Sequence, residues 1–297
     1  LPIDALAKRF RKHLYRLARG KSGLFRAESP IALPEERVPL KRAIEACERL
    51  GQTPDGKQIY LYQRGKQPQA PILRELGRLR EIAFRAVGEG TGQRRDLDRY
   101  DDDYLHLLLW DPGALEIVGA YRLIPTAPLI QQRGVTGLYS HSLFAYGAGM
   151  DEILAQGIEL GRSFIQPAYW GRRGLDYLWQ GIGAFLARHP EYRYLFGPVS
   201  ISAGLPLAAR DLLIAFYRLY FPATCQVARS RHPYPASLPQ HLQQFSGKDY
   251  QADLTRLKGL LDNLGCAIPT LYKQYSELCE PGGVEFLDFG TDPAFAD

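Results

Sequence analysis

Three short groups of charged residues have the types and spacing that acid–base and carbonyl chemistry require. They are Asp96-x-Asp98-x-x-Asp101 in a polar stretch, Arg122 within an apolar stretch, and Glu159-x-x-Arg162 in a second apolar stretch. A carboxylate can accept a proton, and a guanidinium can bind a carboxylate or polarise a carbonyl. An unpaired arginine inside a strand is costly to bury, so a carboxylate or an anionic ligand must lie near Arg122. We expect Arg122, Glu159 and Arg162 to form a central polar cluster.

A helix that begins near Ile72 comes before these groups. Its apolar residues recur at helical spacing and make one stripe: Ile72, Leu76, Leu79, Ala83 and Ala86. At about 100° per residue, Arg80 and Phe84 fall on the flank of that stripe. A Gly-rich, charged loop over residues 88–100 follows this helix. Asp98 and Asp101, at the end of the loop and just after it, are expected either to face a substrate or to brace Arg80.

Two strand candidates, Tyr104–Trp110 and Leu115–Ile124, are joined by the tight turn Asp111-Pro112-Gly113 and predict a hairpin. The second is apolar on both faces, which predicts a central strand. In the next candidate, Ile158–Ile165, residues three apart would lie on opposite faces of a regular strand. Glu159 and Arg162 therefore converge only if the ladder is broken, and we predict a β-bulge near Gly161.

The remaining pattern mixes helices and strands without a strict β-α-β repeat, which predicts an α+β fold with a mostly antiparallel sheet. We expect helices at Asp4–Arg19, at about 35–50 up to Gly51, and at 175–188, 207–221, 250–264 and 271–278, strands at Gln58–Gln63, 192–202 and 284–289, and a proline-rich crossover at 222–239. The predicted domains are a basic appendage at 1–66, with a linker over Gln67–Pro71, and a main domain at 67–297 with a helical, proline-rich insertion at about 222–282.

The net charge of +5 is unevenly distributed. Residues 1–70 carry 15 Lys and Arg against 7 Asp and Glu, whereas residues 71–297 carry 22 against 25. The pI of 8.9 thus reflects a segment, which argues against a nucleic-acid-binding protein. The basic helix at 4–19 is expected to dock on a neighbouring domain or lie on a membrane surface.

Four cysteines without C-x-x-C spacing argue against a disulfide scaffold and against a metal site, and favour the cytoplasm. No apolar run reaches the length of a membrane span, and no signal-peptide pattern is seen. Because the first residue is Leu1, we expect a piece of a longer polypeptide.

In this order, the motifs resemble the branch of GNAT-like acyltransferases that contains acyl-homoserine-lactone synthases and N-acyl amino acid synthases. The segments Glu159-Leu-Gly-Arg-Ser-Phe-Ile-Gln-Pro167 and Leu195-Phe-Gly-Pro-Val-Ser-Ile-Ser202 are more similar to ornithine-lipid and glycine-lipid N-acyltransferases, often labelled hemolysin-like. The resemblance covers about residues 70–297. Residues 1–66 resemble the segment that follows a lysophospholipid-acyltransferase domain in longer relatives, which implies a possible fused domain.

The resemblance implies a GNAT-like fold and transfer of a long-chain acyl group from acyl carrier protein to the α-amine of an amino acid. It implies Glu159, Arg122 and Arg162 as catalytic residues and Arg80, Phe84, Asp98 and Asp101 as substrate-binding residues. Direct attack by the amine needs no acyl-enzyme, and no cysteine has a histidine nearby in sequence. Glu159 would accept the ammonium proton or only orient Arg122. No bound cofactor is expected, because the acyl thioester is a co-substrate.

The donor-binding segment is predicted around Gly161, Ser163, Arg172 and Arg173. The stretch Gly171-Arg-Arg-Gly174 departs from the pyrophosphate loop of enzymes that use coenzyme A, whereas paired arginines suit an acidic carrier protein. Acyl-CoA stays open as a donor, and so does the interpretation of Arg172 and Arg173 as ordinary exposed residues.

Three alternatives stay open at this point. His106 and Asp111 satisfy the H-x-x-x-x-D pattern of glycerolipid O-acyltransferases, although their spacer is wholly apolar. Residues 1–20 would suit a membrane-docking or lytic module, or a peripheral contact of a cytoplasmic enzyme with the inner membrane. The segment Val135–Met150 would shape an acyl tunnel or form a lid-like loop.

Overall fold

The fold is built around a six-stranded sheet that is flanked by helices. The structure, a computed structural model, describes residues 3–21, 24, 28–67, 70–225, 227–235 and 243–292. Its helices are α1 (Ile3–Ala18), α2 (Arg37–Glu45), α3 (Ile72–Ala86), α4 (Thr126–Arg133), α5 (Tyr139–Leu143), α6 (Met150–Ala155), α7 (Gly174–Arg188), α8 (Leu207–Tyr220), α9 (Tyr250–Asp262) and α10 (Thr270–Leu278). Its strands are β1 (Glu48–Gln52), β2 (Gln58–Gln63), β3 (Leu105–Asp111), β4 (Glu116–Pro125), β5 (Phe144–Tyr146), β6 (Gly157–Ile165), β7 (Tyr194–Phe196) and β8 (Ala228–Ser230).

The main sheet has the order β1-β2-β3-β4-β6-β7. Every pair is antiparallel except β6 and β7, which run parallel. This confirms the predicted α+β class and the hairpin of β3 and β4, and it places β4 inside the sheet as its apolar faces predicted. Strands β5 and β8 form a separate two-stranded ribbon.

Different helices cover the two faces of the sheet, and the alternating side chains of β3 show which helix covers which face. Leu108 and Trp110 pack with the apolar stripe of α3, whereas Leu107 and Leu109 pack with Leu178 and its neighbours on α7. His106 and Arg122 are register partners on β3 and β4. Because side chains alternate along a strand, both belong to the face that α3 covers. The charged residues of the sequence motifs therefore lie between α3 and the sheet.

The ladder between β4 and β6 is interrupted where the sequence predicted a bulge. Ala120 pairs with Phe164 and Arg122 pairs with Gly161, so one residue of β4 lies opposite the two residues Arg162 and Ser163 of β6. The left-handed conformation falls on Arg162, with φ of 48°, and not on Gly161. The bulge is confirmed, but the residue that adopts the strained backbone is the arginine.

Two expected elements were wrong in their extent, and a third was wrong in kind. The helix expected at about 35–50 ends at Glu45, because β1 begins at Glu48 and pairs with β2. The strand expected at 192–202 is confined to β7, since the chain leaves the sheet after Phe196. Among the described residues, the strand expected at 284–289 is reduced to an isolated bridge between Pro222 and Phe286.

Residues 37–63 share the sheet and core of the residues that follow them. β2 pairs with β3 along its whole length, and Leu40 and Ile44 of α2 pack with α3. The division expected at residue 66 therefore falls between two strands of one sheet. Part of the expected linker, residues 68 and 69, lies outside the described residues. Within the described ranges no helix has the length and apolar character that crossing a membrane would need.

Candidate active site

Three arginines and three aspartates alternate in a network between α3 and the sheet. Arg80 Nη1 lies 2.7 Å from Asp101 Oδ1, and Arg122 Nη1 lies 3.1 Å from the same oxygen. Arg122 also lies 2.7 Å from Asp98 Oδ1, whose other oxygen is 3.2 Å from Arg162 Nη2. The network ends at Asp96, 3.4 Å from Arg162 Nε. The acidic motif thus supplies the counter-ions of the arginines, as the buried position of Arg122 required.

Aromatic rings enclose the central guanidinium of this network. The Cζ atom of Arg122 lies 5.0 Å from the ring centre of Tyr104, 5.3 Å from that of Tyr139 and 5.8 Å from that of Tyr100. A cation over aromatic faces in a site shielded from water gains further stabilisation. Arg122 is therefore held by charge and by aromatic contact, and we infer a fixed orientation for it.

Burial and the neighbouring arginines act in opposite directions on the pKa values of the aspartates and in the same direction on the pKa of His106. Burial would raise the pKa of Asp101, but Arg80 and Arg122 outweigh it and hold that pKa well below its usual range. Burial raises the pKa of Asp96, which Arg162 and Arg80 only partly offset. Burial and then Arg80 lower the pKa of His106 to about 3, so the imidazole is neutral. Its Nδ1 lies 3.1 Å from Arg80 Nη2.

Glu159 is buried beside this network and accepts three hydrogen bonds. The backbone N–H groups of Tyr139 and Ser140 donate to its carboxylate at 3.1 Å and 2.5 Å, and the hydroxyl of Tyr104 donates to Oε2. Burial and then the Glu159 charge raise the pKa of Tyr104. The carboxylate thus fixes the first turn of α5 to β6.

A cavity of about 740 Å³ opens next to the bulge. Its volume lies within the usual range for small-molecule sites. It is lined by the bulged part of β6, by the segment after β7, by α10 and by residues 283–292. Most of its wall is apolar or aromatic, including Tyr121, Trp179 and Tyr275, and its polar groups include Arg162, Ser163 and Tyr139. Such a cavity can hold a long apolar chain with a polar group at one end.

Among the described residues, the bulged part of β6 has no paired strand on its β7 side. β6 and β7 pair from Gly157 with Tyr194 to Glu159 with Phe196, and the named pairs end there. A Cβ atom at Gly197 would lie 2.0 Å from the carbonyl oxygen of Leu160, so the chain is still in close contact with β6 one residue beyond the last named pair. The pairing of β6 with β7 therefore ends before the bulge at Arg162 and Ser163.

The sequence-predicted residues divide into two groups around this cavity. Phe84, Gly161, Arg162 and Ser163 line its wall. A second group lies behind the wall and does not line it: Arg80, Asp98, Asp101, Arg122 and Glu159. Arg80 is fully buried, and its contacts are with Asp101 and His106, which fits bracing better than substrate contact.

Arg172 and Arg173 lie apart from the polar network, in the exposed turn that leads into α7. Arg172 lies over the ring of Tyr169, and Arg173 lies over the ring of Tyr177 and 3.5 Å from Asp176. Both are accessible to a macromolecule, and neither lines the cavity.

Several residues of the site were not predicted as site residues. Tyr104 and Tyr139 contact both Arg122 and Glu159, and Tyr121, Trp179 and Tyr275 form an aromatic wall with ring or hydroxyl contacts among them. For the segment 135–150, which supplies Tyr139, the sequence predicts an acyl tunnel or a lid-like loop. It lines the cavity with Tyr139, Ser140, Leu143, Phe144, Tyr146 and Met150.

The H-x-x-x-x-D pattern does not form a catalytic pair. His106 is fully buried against Arg80, and its Nε2 lies 3.1 Å from the carbonyl oxygen of Asp101. Asp111 lies five residues along the same strand, roughly 17 Å away. It accepts hydrogen bonds from Gly113 and Ala114 in the hairpin turn. The two side chains hold different parts of the fold.

Comparison with known proteins gives the family. A profile described as an acetyltransferase (GNAT) domain matches residues 79–180, which contain the polar network and the bulge. The chain is 34% identical to the glycine N(alpha)-acyltransferase of Bacteroides thetaiotaomicron over 84% of its own length and 77% of that protein. It belongs to this N-acyltransferase family. The corresponding enzyme of Phocaeicola vulgatus is 30% identical over 84% of this chain and 80% of its own.

Other similarities are partial. The L-ornithine N(alpha)-acyltransferase of Brucella abortus is 32% identical over 46% of this chain and 52% of its own. The similarity to a solved CoA-dependent acyl-homoserine lactone synthase covers 47% of this chain and 65% of that chain, with 18% identity and a TM-score of 0.31. As a member of the family, this GNAT-type chain is an acyltransferase enzyme.

Proposed function

We propose that this N-acyltransferase moves a long acyl chain from a carrier thioester to the α-amine of an amino acid. The observation that carries the proposal is the 740 Å³ cavity, largely apolar, which opens at the β6 bulge, beyond the end of the pairing of β6 with β7. The acyl chain lies among the aromatic side chains, and the thioester carbonyl lies near Arg162 and Ser163. The pantetheine arm enters beside β6, where its pairing with β7 has ended.

The transfer is a direct attack of the neutral amine on the thioester carbonyl. The new nitrogen–carbon bond forms as the carbon–sulfur bond breaks. The amine nitrogen loses one proton, and the leaving thiolate gains one to become a thiol. Holding amine and carbonyl together supplies much of the rate without a covalent intermediate. Among the described residues, Cys279 is the only cysteine that lines the cavity. Cys279→Ala retains activity if transfer is direct and abolishes it if the enzyme is acylated there.

Arg162 is the cation best placed to bind the carboxylate of the acceptor. Its guanidinium lines the cavity and is about one tenth exposed, while Asp98 and Asp96 hold it from behind. Arg162 also lies 5.0 Å from the ring of Tyr139, which fixes its plane. An arginine can donate two parallel hydrogen bonds to one carboxylate, a geometry that selects amino acids over simple amines.

Glu159 acts as a positioning residue in this proposal. Its two oxygens accept three hydrogen bonds, and it lies behind the cavity wall. A general base must come within about 3.2 Å of the proton that it removes, directly or through one water. The role that fits Glu159 is to hold Tyr139, which in turn contacts Arg122 and Arg162.

We infer that acyl carrier protein is the donor and that Arg172 and Arg173 contact it. Carrier proteins are acidic, and exposed cations at an interface mainly raise the rate of encounter and make it sensitive to salt. Changing both arginines to Glu is expected to raise KM for acyl carrier protein at least tenfold and to leave KM for acyl-CoA unchanged. Lys258→Glu, an exposed change on α9, is the control. An equal loss with both donors contradicts the assignment.

Glycine is the first acceptor to test, because the relatives aligned over most of this chain are named for it. Purified protein is incubated with palmitoyl carrier protein and single amino acids, and products are identified by mass spectrometry. The expected product is N-palmitoylglycine, with an amide bond. An ester product, or no product with glycine, ornithine, lysine or glutamine, would overturn the proposal.

A further inference from the structure

The first helix separates its side chains into one apolar and one basic face. At 3.6 residues per turn, its large aliphatic and aromatic residues other than Tyr15 fall within an arc of about 80°. They are Ile3, Leu6, Phe10, Leu14 and Leu17. No residue of α1 is buried, and Ile3 and Leu14 are 85% and 62% exposed. A soluble helix normally turns such a stripe toward a core.

The opposite face of α1 carries a dense positive charge. Five cations, Lys8, Arg9, Arg11, Lys12 and Arg16, occupy it, and Asp4 is the only acidic residue of the helix. Residues 71–297 carry more acidic than basic residues, so the positive charge is concentrated in the segment that contains α1. An apolar stripe about 21 Å long, bordered by cations, matches the boundary between acyl chains and anionic headgroups.

We propose that α1 lies in the surface of an anionic lipid bilayer, with Leu14 and the other apolar residues inserted among the acyl chains. The helix lies parallel to the membrane plane, because sixteen residues with five cations on one face cannot cross it. Binding requires both attractions together. The apolar residues insert only where anionic lipid attracts the cations of α1, and the cations stay bound to the headgroups only where the apolar stripe is inserted. This surface contact is independent of the acyl-transfer proposal, since it requires no substrate.

The occupant is argued from charge complementarity. An anionic bilayer presents negative charge along the whole length of the helix and apolar chains beneath it, which satisfies both faces of α1 together. A neutral bilayer would satisfy only the apolar face. A protein groove would bury the apolar stripe, but it would leave the five cations in water. The cations would then add nothing to the affinity.

The test is co-flotation of the full chain with lipid vesicles in a sucrose gradient. Vesicles of two compositions are used. The probes are phosphatidylcholine alone and phosphatidylcholine with phosphatidylglycerol at about 30%. Binding is expected only to the anionic vesicles and is expected to weaken as salt rises, because exposed charges are screened. Each basic residue near an anionic surface contributes about a fivefold factor in binding. Changing Lys8 and Lys12 to Glu is therefore expected to weaken binding at least 25-fold.

Two single substitutions separate insertion from a general effect of surface charge. Leu14→Glu is expected to weaken vesicle binding at least tenfold, whereas Leu33→Glu, at an 82% exposed leucine outside the helix, is expected to leave it unchanged. Circular dichroism and the unfolding midpoint of each variant confirm that folding is retained. Equal binding to both vesicle types overturns the proposal. So does Leu14→Glu binding like the parent chain, or an α1-dependent dimer in solution that does not float.

Discussion

Ser140 donates its backbone N–H to Oε1 of Glu159 at 2.5 Å, so the carboxylate faces the start of α5 and lies behind the cavity wall. This contact gives the glutamate of the E-x-x-R motif a structural task. It connects β6 to the segment that presents Tyr139 to the two arginines.

Glu159→Gln tests that task. The amide group replaces an acceptor with a donor that faces backbone N–H groups, and leaving buried donors unsatisfied costs about 1–3 kcal/mol. We expect a lower free energy of unfolding together with a raised KM for the amino acid, and an unchanged pH profile of the remaining activity. Chemical denaturation and steady-state kinetics measure both. The control is Glu152→Gln, because Glu152 is exposed and accepts a hydrogen bond from the hydroxyl of Tyr194.

A loss of kcat by a factor of 10² or more with normal stability and KM would instead indicate general base catalysis by Glu159.

Arg122→Ala tests the buried network. The change leaves Asp98 and Asp101 without their shared cation, and breaking a buried pair in this way costs about 3–5 kcal/mol. Urea denaturation measures the loss. Arg188→Ala removes an exposed pair with Glu48 and is expected to cost less than about 1 kcal/mol. Similar costs for the two variants would contradict the buried assignment of Arg122.

Two glycines near the bulge are expected to respond differently to alanine. A Cβ atom at Gly161 would meet nothing within 4 Å, and its φ is not in the left-handed region. Gly161→Ala is therefore expected to keep or raise stability by up to about 1 kcal/mol. At Gly197 the added atom would lie 2.0 Å from the Leu160 carbonyl oxygen and is expected to destabilise the protein clearly. Thermal unfolding of both variants decides the matter, and the reverse order would contradict the described bulge.

His106 makes stability depend on pH in mildly acidic solution. Burial and Arg80 lower its pKa to about 3 in the folded state, whereas the unfolded chain protonates it below its ordinary value of 6.5. The unfolded state therefore binds more protons between these limits, and stability falls as pH falls from 6.5 toward 3. The slope from one such group reaches about 1.4 kcal/mol per pH unit.

Urea denaturation at pH 7, 6, 5 and 4 measures the pH dependence of stability. His106→Asn is expected to be less stable at pH 7 and to show a shallower slope than the parent. A parallel pair of curves would contradict a neutral, buried His106.

The sequence was sufficient for elements whose periodicity is strong and local. The stripe of α3, the alternation of β2 and β3 and the two apolar faces of β4 led to correct elements, and the E-x-x-R spacing led to the bulge. It was insufficient where pairing decides structure. Glu48–Gln52 has weak strand character and becomes β1 because β2 offers it an edge, whereas residues 284–289 look like a strand and find no extended partner.

The site residues also divide into contacts that the sequence predicts and contacts that depend on tertiary packing. Arg122 had to have a carboxylate nearby, and the acidic motif was the nearest source, so the partners Asp98 and Asp101 were open to prediction. The contacts of Tyr104 with Glu159 and of Tyr121 with Tyr275 join residues 55 and 154 positions apart. No local spacing encodes such contacts. Which residues face the cavity and which lie behind it also depends on tertiary packing.

The central claim is that the cavity beside the bulge holds the acyl chain during transfer, and the chain-length dependence of kcat/KM tests it most directly. Each buried CH₂ contributes about 0.8 kcal/mol, or roughly a fourfold factor. With acyl donors from two to sixteen carbons and saturating glycine, we expect kcat/KM to rise by at least 10³ before it levels off. An acetyl donor used as efficiently as a palmitoyl donor would contradict the account.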